Sequence, residues 1–269
     1  MSDPTVERPA LLAITNFRDL GGWQTSDGRA VVTGRLFRSA ALDKASDDDR
    51  TYLAGLGLRS IYDLRSTVEK DAAPDPVLDG VLDVHLDVLA DAQSVSAPAN
   101  LDKLLTDPET AAAANERLAD GSGVTRMVEA YRELVNLPSA QRSYHRLFRG
   151  LLDDTAALFH CTAGKDRTGW AAASLLTLLG VGRDDVYREY LLTNDLFLPS
   201  LASVFDGFAA AGGDPELLKP LLGAQATYLD SAFAEVERLY GSIENYFDSG
   251  LGLDRNAQAE LRSRYLVDS

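Results

Sequence analysis

The chain lacks nearly everything that would point to a disulfide scaffold or a metalloprotein. Its 269 residues include one cysteine, three histidines, two methionines and two tryptophans. One cysteine excludes an internal disulfide framework, and one cysteine with three histidines is too small a ligand set for a closed zinc site, so no metal and no cofactor are expected. Lysine is scarce too. Of 26 basic residues only five are lysines (Lys44, Lys70, Lys103, Lys165 and Lys219), so each lysine position is informative. Positive charge as a whole is outnumbered by 41 acidic residues, leaving a net charge of −15. A surface that acidic repels phosphate backbones and argues against nucleic acid as a partner, and any anionic substrate needs a local basic pocket. No run approaches the roughly 18 consecutive apolar residues of a membrane-spanning helix. Met1 to Asn16 shows no basic start followed by an apolar stretch, so a secretory leader is not expected, and a cytoplasmic location is the default, with non-classical export leaving no readable mark. No internal repeat is visible, which argues against a solenoid or propeller.

What is present reads as one folded α/β domain over residues 1–269. The content is 45% hydrophobic and 25% charged, ordinary for a chain that buries a substantial core. Short apolar or alternating runs predict strands at Gly34–Arg38, Ser60–Leu64, Leu82–Leu86 and Ala156–His160. Ser46 is placed to cap a helix running to about Leu56, where the Gly55/Gly57 pair ends it. From Asp91 to Gly123 the composition turns to Ala, Asp, Ser and Pro, with short helices expected at Asn100–Leu105 and Pro108–Leu118. A long insertion in a compact domain is either a surface excursion or a lid over a site. Helices are expected at Val124–Val135 and Ser139–Leu152, and at Thr168–Leu179, which is apolar almost all round and therefore buried. Asp184 to Val267 reads as helical nearly throughout, with breaks at Gly212–Pro215, Gly223 and Gly250.

The stretch that carries chemistry is His160-Cys161-Thr162-Ala163-Gly164-Lys165-Asp166-Arg167-Thr168-Gly169. It joins a buried strand to a buried helix, where unpaired amides at the helix N-terminus form an anion site. The loop from Cys161 to Arg167 can curl so that successive N–H groups converge on one tetrahedral oxyanion. Gly164 permits a positive φ and a close approach, and Arg167 offers a planar fork to two phosphate oxygens. The same field favours the thiolate of Cys161, the form that acts as a nucleophile. The hydroxyl of Thr168 is placed to donate to the sulfur when it leaves. Together these parts predict phosphoryl transfer through a cysteinyl-phosphate. Thr162, Ala163, Gly164, Lys165, Asp166 and Thr168 are the substrate-binding set around Cys161 and Arg167.

This stretch resembles the signature His-Cys-x-x-Gly-x-x-Arg-Thr-Gly of the cysteine-dependent protein tyrosine phosphatases. Its filling, Thr162-Ala163-Gly164-Lys165-Asp166-Arg167, is similar to that of the bacterial protein tyrosine phosphatase B family. The likeness extends to Asn16-Phe17-Arg18-Asp19, Leu36-Phe37-Arg38-Ser39, Asp63-Leu64-Arg65-Ser66, Asp83-Val84-His85-Leu86, Tyr190 to Asp195 and Tyr240-Gly241-Ser242. The resemblance implies a phosphatase-like central sheet flanked by helices, a helical lid over about residues 91–135 and a helix-rich C-terminal half. It also implies a phosphorylated protein as substrate, on phosphotyrosine and in some members on phosphoserine, phosphothreonine or a phosphoinositide.

Hydrolysis also needs an acid to protonate the leaving oxygen, typically worth 10²–10⁴-fold. The resemblance assigns that role to the segment after Leu86, where Asp91 falls at the matching position. This chain lacks the prolines that family members carry there, so Asp87 and Asp166 stand as alternatives. Lys165 has two readings: a second cation for a substrate with more than one phosphate, or a partner of Asp166 or the lid. Arg18 and Arg65 each sit beside an aspartate and read as salt-bridged scaffold. His85 and His145 are assigned nothing, and His160 is expected to hold a structural hydrogen bond behind Cys161. Two other classes compete: a phosphate-recognition module that binds without turnover, and sulfur transfer or arsenate reduction, for which resolving cysteines are absent.

Overall fold

In the computed structural model, residues 13–92 and 108–268 are described. The strands are β1 (Arg18–Asp19), β2 (Arg29–Val31), β3 (Leu36–Ser39), β4 (Ser60–Asp63), β5 (Leu82–His85), β6 (Ala157–His160) and β7 (Leu266–Asp268). Five of them form the central sheet in the order β1-β3-β6-β4-β5, parallel from β3 to β5, with β1 antiparallel on the edge. Every residue of β3, β4 and β6 is buried, as a parallel sheet covered on both faces requires.

The period of two along each strand sorts the core into two layers. Phe37, Ile61 and Leu158 face a smaller cluster with Phe17, Leu53 and Leu58, the last two from helix α1 (Asp47–Gly55) and the turn after it. Leu36, Tyr62 and Phe159 face the larger core on the other side, with Phe148, Trp170 and Leu175. Ser46 caps α1 in a reciprocal capping box with Asp49. A second such box, Ser66 with Glu69, opens a helix not expected from the sequence, α2 (Thr67–Ala72), which is too short for a periodic signal.

The helices α3 (Pro108–Leu118), α4 (Ser122–Asn136) and α5 (Pro138–Gly150) follow the expected pattern; the helix expected at Asn100–Leu105 lies outside the described residues. Pro138 opens α5, the position where a missing N–H costs nothing. Helix α6 (Asp166–Leu179) has eleven of its fourteen residues buried. After it come α7 (Arg183–Leu196), α8 (Ala202–Ala210), α9 (Ala226–Tyr240) and α10 (Arg255–Tyr265). The chain end departs from the expected helix. Leu266–Asp268 is a strand paired antiparallel with Arg29–Val31, a contact too distant in sequence to leave a local signal. Helix α3 packs away from the sheet, in a separate small cluster of Ala111, Phe208 and Leu218.

Register places the site. Ser39 and Asp63 flank His160 across the sheet, so the three central strands end level and their connections leave from one edge. Carboxyl ends of parallel strands are where such sheets bind ligands. Behind that edge is a buried ion triad: Arg18 Nε lies 2.6 Å from Glu189 Oε1, and Arg38 Nη1 lies 2.7 Å from Glu189 Oε2. Arg18 is thus scaffold, as expected, but its partner is Glu189 on α7 and not the adjacent Asp19, whose carboxylate accepts from the amides of Gly21 and Gly34. Burial opposes the charge on Glu189, yet the two guanidiniums outweigh it and hold the carboxyl below the usual carboxylate range.

A depressed carboxylate contributes stability that is complete above its unfolded pKa, about 4.3 for glutamate, and is lost as pH falls toward the folded value. Glu189→Ala is expected to cost on the order of 3–5 kcal/mol at neutral pH, because it strands two buried guanidiniums. Denaturant unfolding between neutral and acid pH checks this: wild-type stability should fall more steeply with acid than that of the variant, and parallel curves would count against the assignment.

Candidate active site

Strand β6 ends at His160, and the loop that follows returns to the protein interior as α6. Its conformation is fixed from outside. The amide of Ala41 donates to the carbonyl of Thr162 at 3.2 Å. Asn16 Nδ2 donates to the carbonyls of Ala163 and Gly164, both at 2.9 Å, and Arg38 Nη2 donates to Gly164 O at 2.6 Å. In a trans peptide the carbonyl of one residue and the amide of the next point in opposite directions. The N–H groups of Ala163, Gly164 and Lys165 are therefore turned inward. The first-turn amides of α6 have no intrahelical acceptor, so they extend the same concave row.

Gly164 makes the turn possible for two separate reasons. Its φ is +64°, and a Cβ there would lie 2.2 Å from Ser39 O. Asn16, itself at φ +58°, is the residue type that tolerates this region while offering an amide to the loop.

Cys161 is 2% exposed at the floor of this cradle. Behind it, His160 Nδ1 approaches Cys161 O at 3.4 Å and His160 Nε2 lies 3.2 Å from Asp75 Oδ2. Asp63, Asp75 and His160 lie close enough together to suggest a cation site, but Arg65 already fills it. Its Nε and Nη2 bind Asp63 at 2.9 Å each, and Nη2 also binds Asp75 at 2.5 Å. Arg65 is scaffold, as expected. His85 and His145 each bond a backbone carbonyl, of Arg65 and Leu251 respectively.

Arg167 reaches over the loop and meets a carboxylate that the sequence reading missed. Its Nη1 and Nη2 bind Glu69 Oε2 and Oε1 at 2.6 and 2.8 Å, and the hydroxyl of Thr162 donates to Oε1 at 2.5 Å. Burial opposes the charge of Glu69, but the bonds and charge of Arg167 prevail and hold its carboxyl well below the usual range. Burial likewise pulls on the guanidinium, and Glu69 with Cys161 pushes it further above its ordinary value. The available signal was Ser66-Thr67-Val68-Glu69, a capping-box pattern directly after a strand.

Of the two readings of Lys165, its contacts match the pairing with Asp166. Lys165 is 3% exposed and turned away from the cradle, its Nζ donating to Leu221 O at 2.5 Å and Gly223 O at 3.2 Å, with Asp166 Oδ1 at 3.6 Å. It serves as a tie between the loop and the chain before α9, not as a cation for a second phosphate. The hydroxyl of Thr168 is buried and has no hydrogen-bond partner among the described residues.

The three carboxylates weighed as acids are separated by their surroundings. Asp91 Oδ2 pairs with Arg142 Nη2 at 2.9 Å on an open surface, and its amide bonds Ser139. Asp87 accepts from the amide and hydroxyl of Thr67 through Oδ2 and from the amide of Leu89 through Oδ1, so it anchors α2. Asp166 stands on the loop itself. Its Oδ1 accepts from Tyr131 at 2.9 Å, and Oδ2 carries no hydrogen bond among the described residues. Tyr131, on α4, is held neutral by burial and by the charge of Asp166.

A sequence model described as the tyrosine phosphatase family matches residues 9–267. A tyrosine-protein phosphatase of Cupriavidus necator is 35% identical over 266 residues, covering 94% of this chain and 86% of that protein. The triple specificity protein phosphatase PtpB of Mycobacterium tuberculosis is 34% identical over 258 residues, covering 88% and 91%. A tyrosine-protein phosphatase of Nostoc commune is 31% identical over 243 residues, covering 87% and 75%. The match thus runs through the strands that frame the cradle as well as through the cradle, and the chain belongs to the tyrosine phosphatase family.

Proposed function

We propose that this chain is one phosphatase domain that hydrolyses phosphotyrosine in a protein substrate through a cysteinyl-phosphate. The observation that carries the reading is the outward bonding of the carbonyls of Thr162, Ala163 and Gly164, which aims the intervening amides at a point beside Cys161. In the first step the thiolate of Cys161 attacks phosphorus as the ester P–O bond breaks. Inward amides and Arg167 stabilise the equatorial oxygens. The departing phenolate oxygen takes its proton from Asp166. In the second step water attacks the phosphoryl group, Asp166 accepts a proton from that water, the S–P bond breaks and inorganic phosphate leaves.

Asp166 is favoured over Asp91 as the acid because it directly precedes Arg167 in the cradle segment and is bonded there by Tyr131, whereas Asp91 is paired with Arg142 on an open surface. Tyr131 joins Asp166 to α4, so this helix is the described part of the expected lid that touches the acid. The name of the mycobacterial relative raises wider specificity. With Lys165 turned away, a phosphoinositide lacks the cation expected for its second phosphate, and phosphotyrosine is the preferred substrate.

Turnover of aryl phosphates in the presence of EDTA tests the chemistry. Cys161→Ser should abolish it. Asp166→Asn should lower turnover by about 10²-fold or more for a weakly acidic phenol and far less for a strongly acidic one, because only the poor leaving group needs the proton. Asp91→Asn and Asp87→Asn should show no such dependence on the leaving group. If the dependence appears in Asp91→Asn instead, the acid is misassigned. Phosphate binding by the wild type without turnover would replace the enzyme with a recognition module. Gly164→Ala should weaken phosphate binding at least tenfold, since the new Cβ displaces the loop from Ser39; unchanged binding would contradict the tight packing of the cradle.

A further inference from the structure

Glu69 is a half-buried charge next to the reacting centre that the hydrolytic sequence does not use. Its carboxylate accepts five hydrogen bonds. Oε2 takes the amide and the hydroxyl of Ser66 at 2.8 and 2.9 Å together with Arg167 Nη1, and Oε1 takes Arg167 Nη2 and the hydroxyl of Thr162. The first turn of α2 is in turn fixed to the chain after β5, because Thr67 donates its amide and hydroxyl to Asp87. The capping box of a six-residue helix is thus also a clamp on an arginine nearly one hundred residues away.

The geometry of the clamp matters. A guanidinium has an end with two Nη groups and a side edge made of Nε and one Nη. Glu69 takes the end, and Nη1 also contacts Leu64 O at 3.4 Å. Nε has no partner among the described residues, and the remaining contact of Nη2, to Thr162, is a weak 3.5 Å. The side edge is the part left open for an oxyanion.

We propose that Glu69 is a positioning residue for Arg167: it grips the guanidinium end-on so that the Nε–Nη2 edge faces the transferring phosphoryl group. Its own negative charge, bonded to Thr162 of the cradle, at the same time repels the ground-state phosphate. This rests on the phosphatase reading of the site. The two effects have opposite signs on two measurable quantities, so they can be separated. An arginine freed from its clamp loses alignment in the transition state, which costs on the order of 10²-fold in kcat for displacements near 1 Å. Removing a neighbouring like charge tightens ground-state anion binding.

Two variants carry the test, both read by kcat on an aryl phosphate and by the dissociation constant of inorganic phosphate. Glu69→Gln keeps the size and the cap acceptor and removes the charge. It should lower kcat at least tenfold while binding phosphate several-fold more tightly. Glu69→Asp keeps the charge and shortens the reach. It should lower kcat comparably without tightening phosphate. The loss in both should be the same for good and poor leaving groups, unlike the loss expected for Asp166→Asn. A purely structural role would weaken phosphate binding and lower the melting temperature together, and that result, or unchanged kcat in either variant, overturns the proposal. If the wild type shows no turnover, the phosphatase reading fails. The phosphate constants then still decide the clamp, since tighter binding in Glu69→Gln alone supports it and equal binding in all three proteins overturns it.

Discussion

The rest of the site depends on three carbonyl groups being held from behind. A loop that turns its amides inward must turn its carbonyls outward, and outward here means into protein, where an unpaired carbonyl is costly. Ala41, Asn16 and Arg38 supply the donors. Each comes from a segment that the sheet brings alongside β6: Arg38 from the neighbouring parallel strand, Ala41 from the turn after it and Asn16 from the approach to β1. The cradle is therefore built before any ligand arrives, and binding an oxyanion need not reorganise it.

Charge in this chain follows the same logic on a larger scale. A protein with a net charge of −15 that handles an anion must shelter its positive groups from its own field. It does so with arginines drawn inside and matched by carboxylates: buried Arg18 and Arg38 by Glu189, buried Arg65 by Asp63 and Asp75, and the partly buried Arg167 by Glu69. A lysine has no planar fork to share between a carboxylate and a second partner, which is why arginine fills these places. The one buried lysine of the loop, Lys165, points its ammonium at backbone carbonyls instead. The first three arginines build the frame, while Arg167 is gripped by Glu69 through its two Nη groups and has no Nε partner among the described residues.

Much of this was legible in the sequence, and the part that was not has a physical cause. Short apolar runs located β3, β4, β5 and β6, and the nearly all-round apolar stretch located α6, because burial on both faces leaves a dense local pattern. Cys161, Gly164 and Arg167 were legible because their spacing in one short loop is itself the chemistry. Glu69 was missed because its partner lies far along the chain and its only local mark is a capping pattern. Lys165 stays open between two readings in the sequence; its contacts match the pairing with Asp166, while the carbonyls of Leu221 and Gly223 that also hold it lie in no local window. The final strand, Leu266–Asp268, belongs to the same class, a long-range pairing against Arg29–Val31. Asp91 was favoured by alignment with a family; Arg142, fifty residues on, is what fixes its side chain.

The central claim is that the cradle is preformed. The measurement that tests it most directly is a titration of inorganic phosphate into isotope-labelled protein, followed by the backbone amide resonances. A preformed cradle predicts that the amides of Ala163 to Arg167 shift together along one saturation curve, while those of Asn16, Arg38 and Ala41 stay in place. Broad shifts or line-broadening through Asn16, Arg38 and Ala41 during the same titration would show the loop assembling around the ligand and would contradict the account.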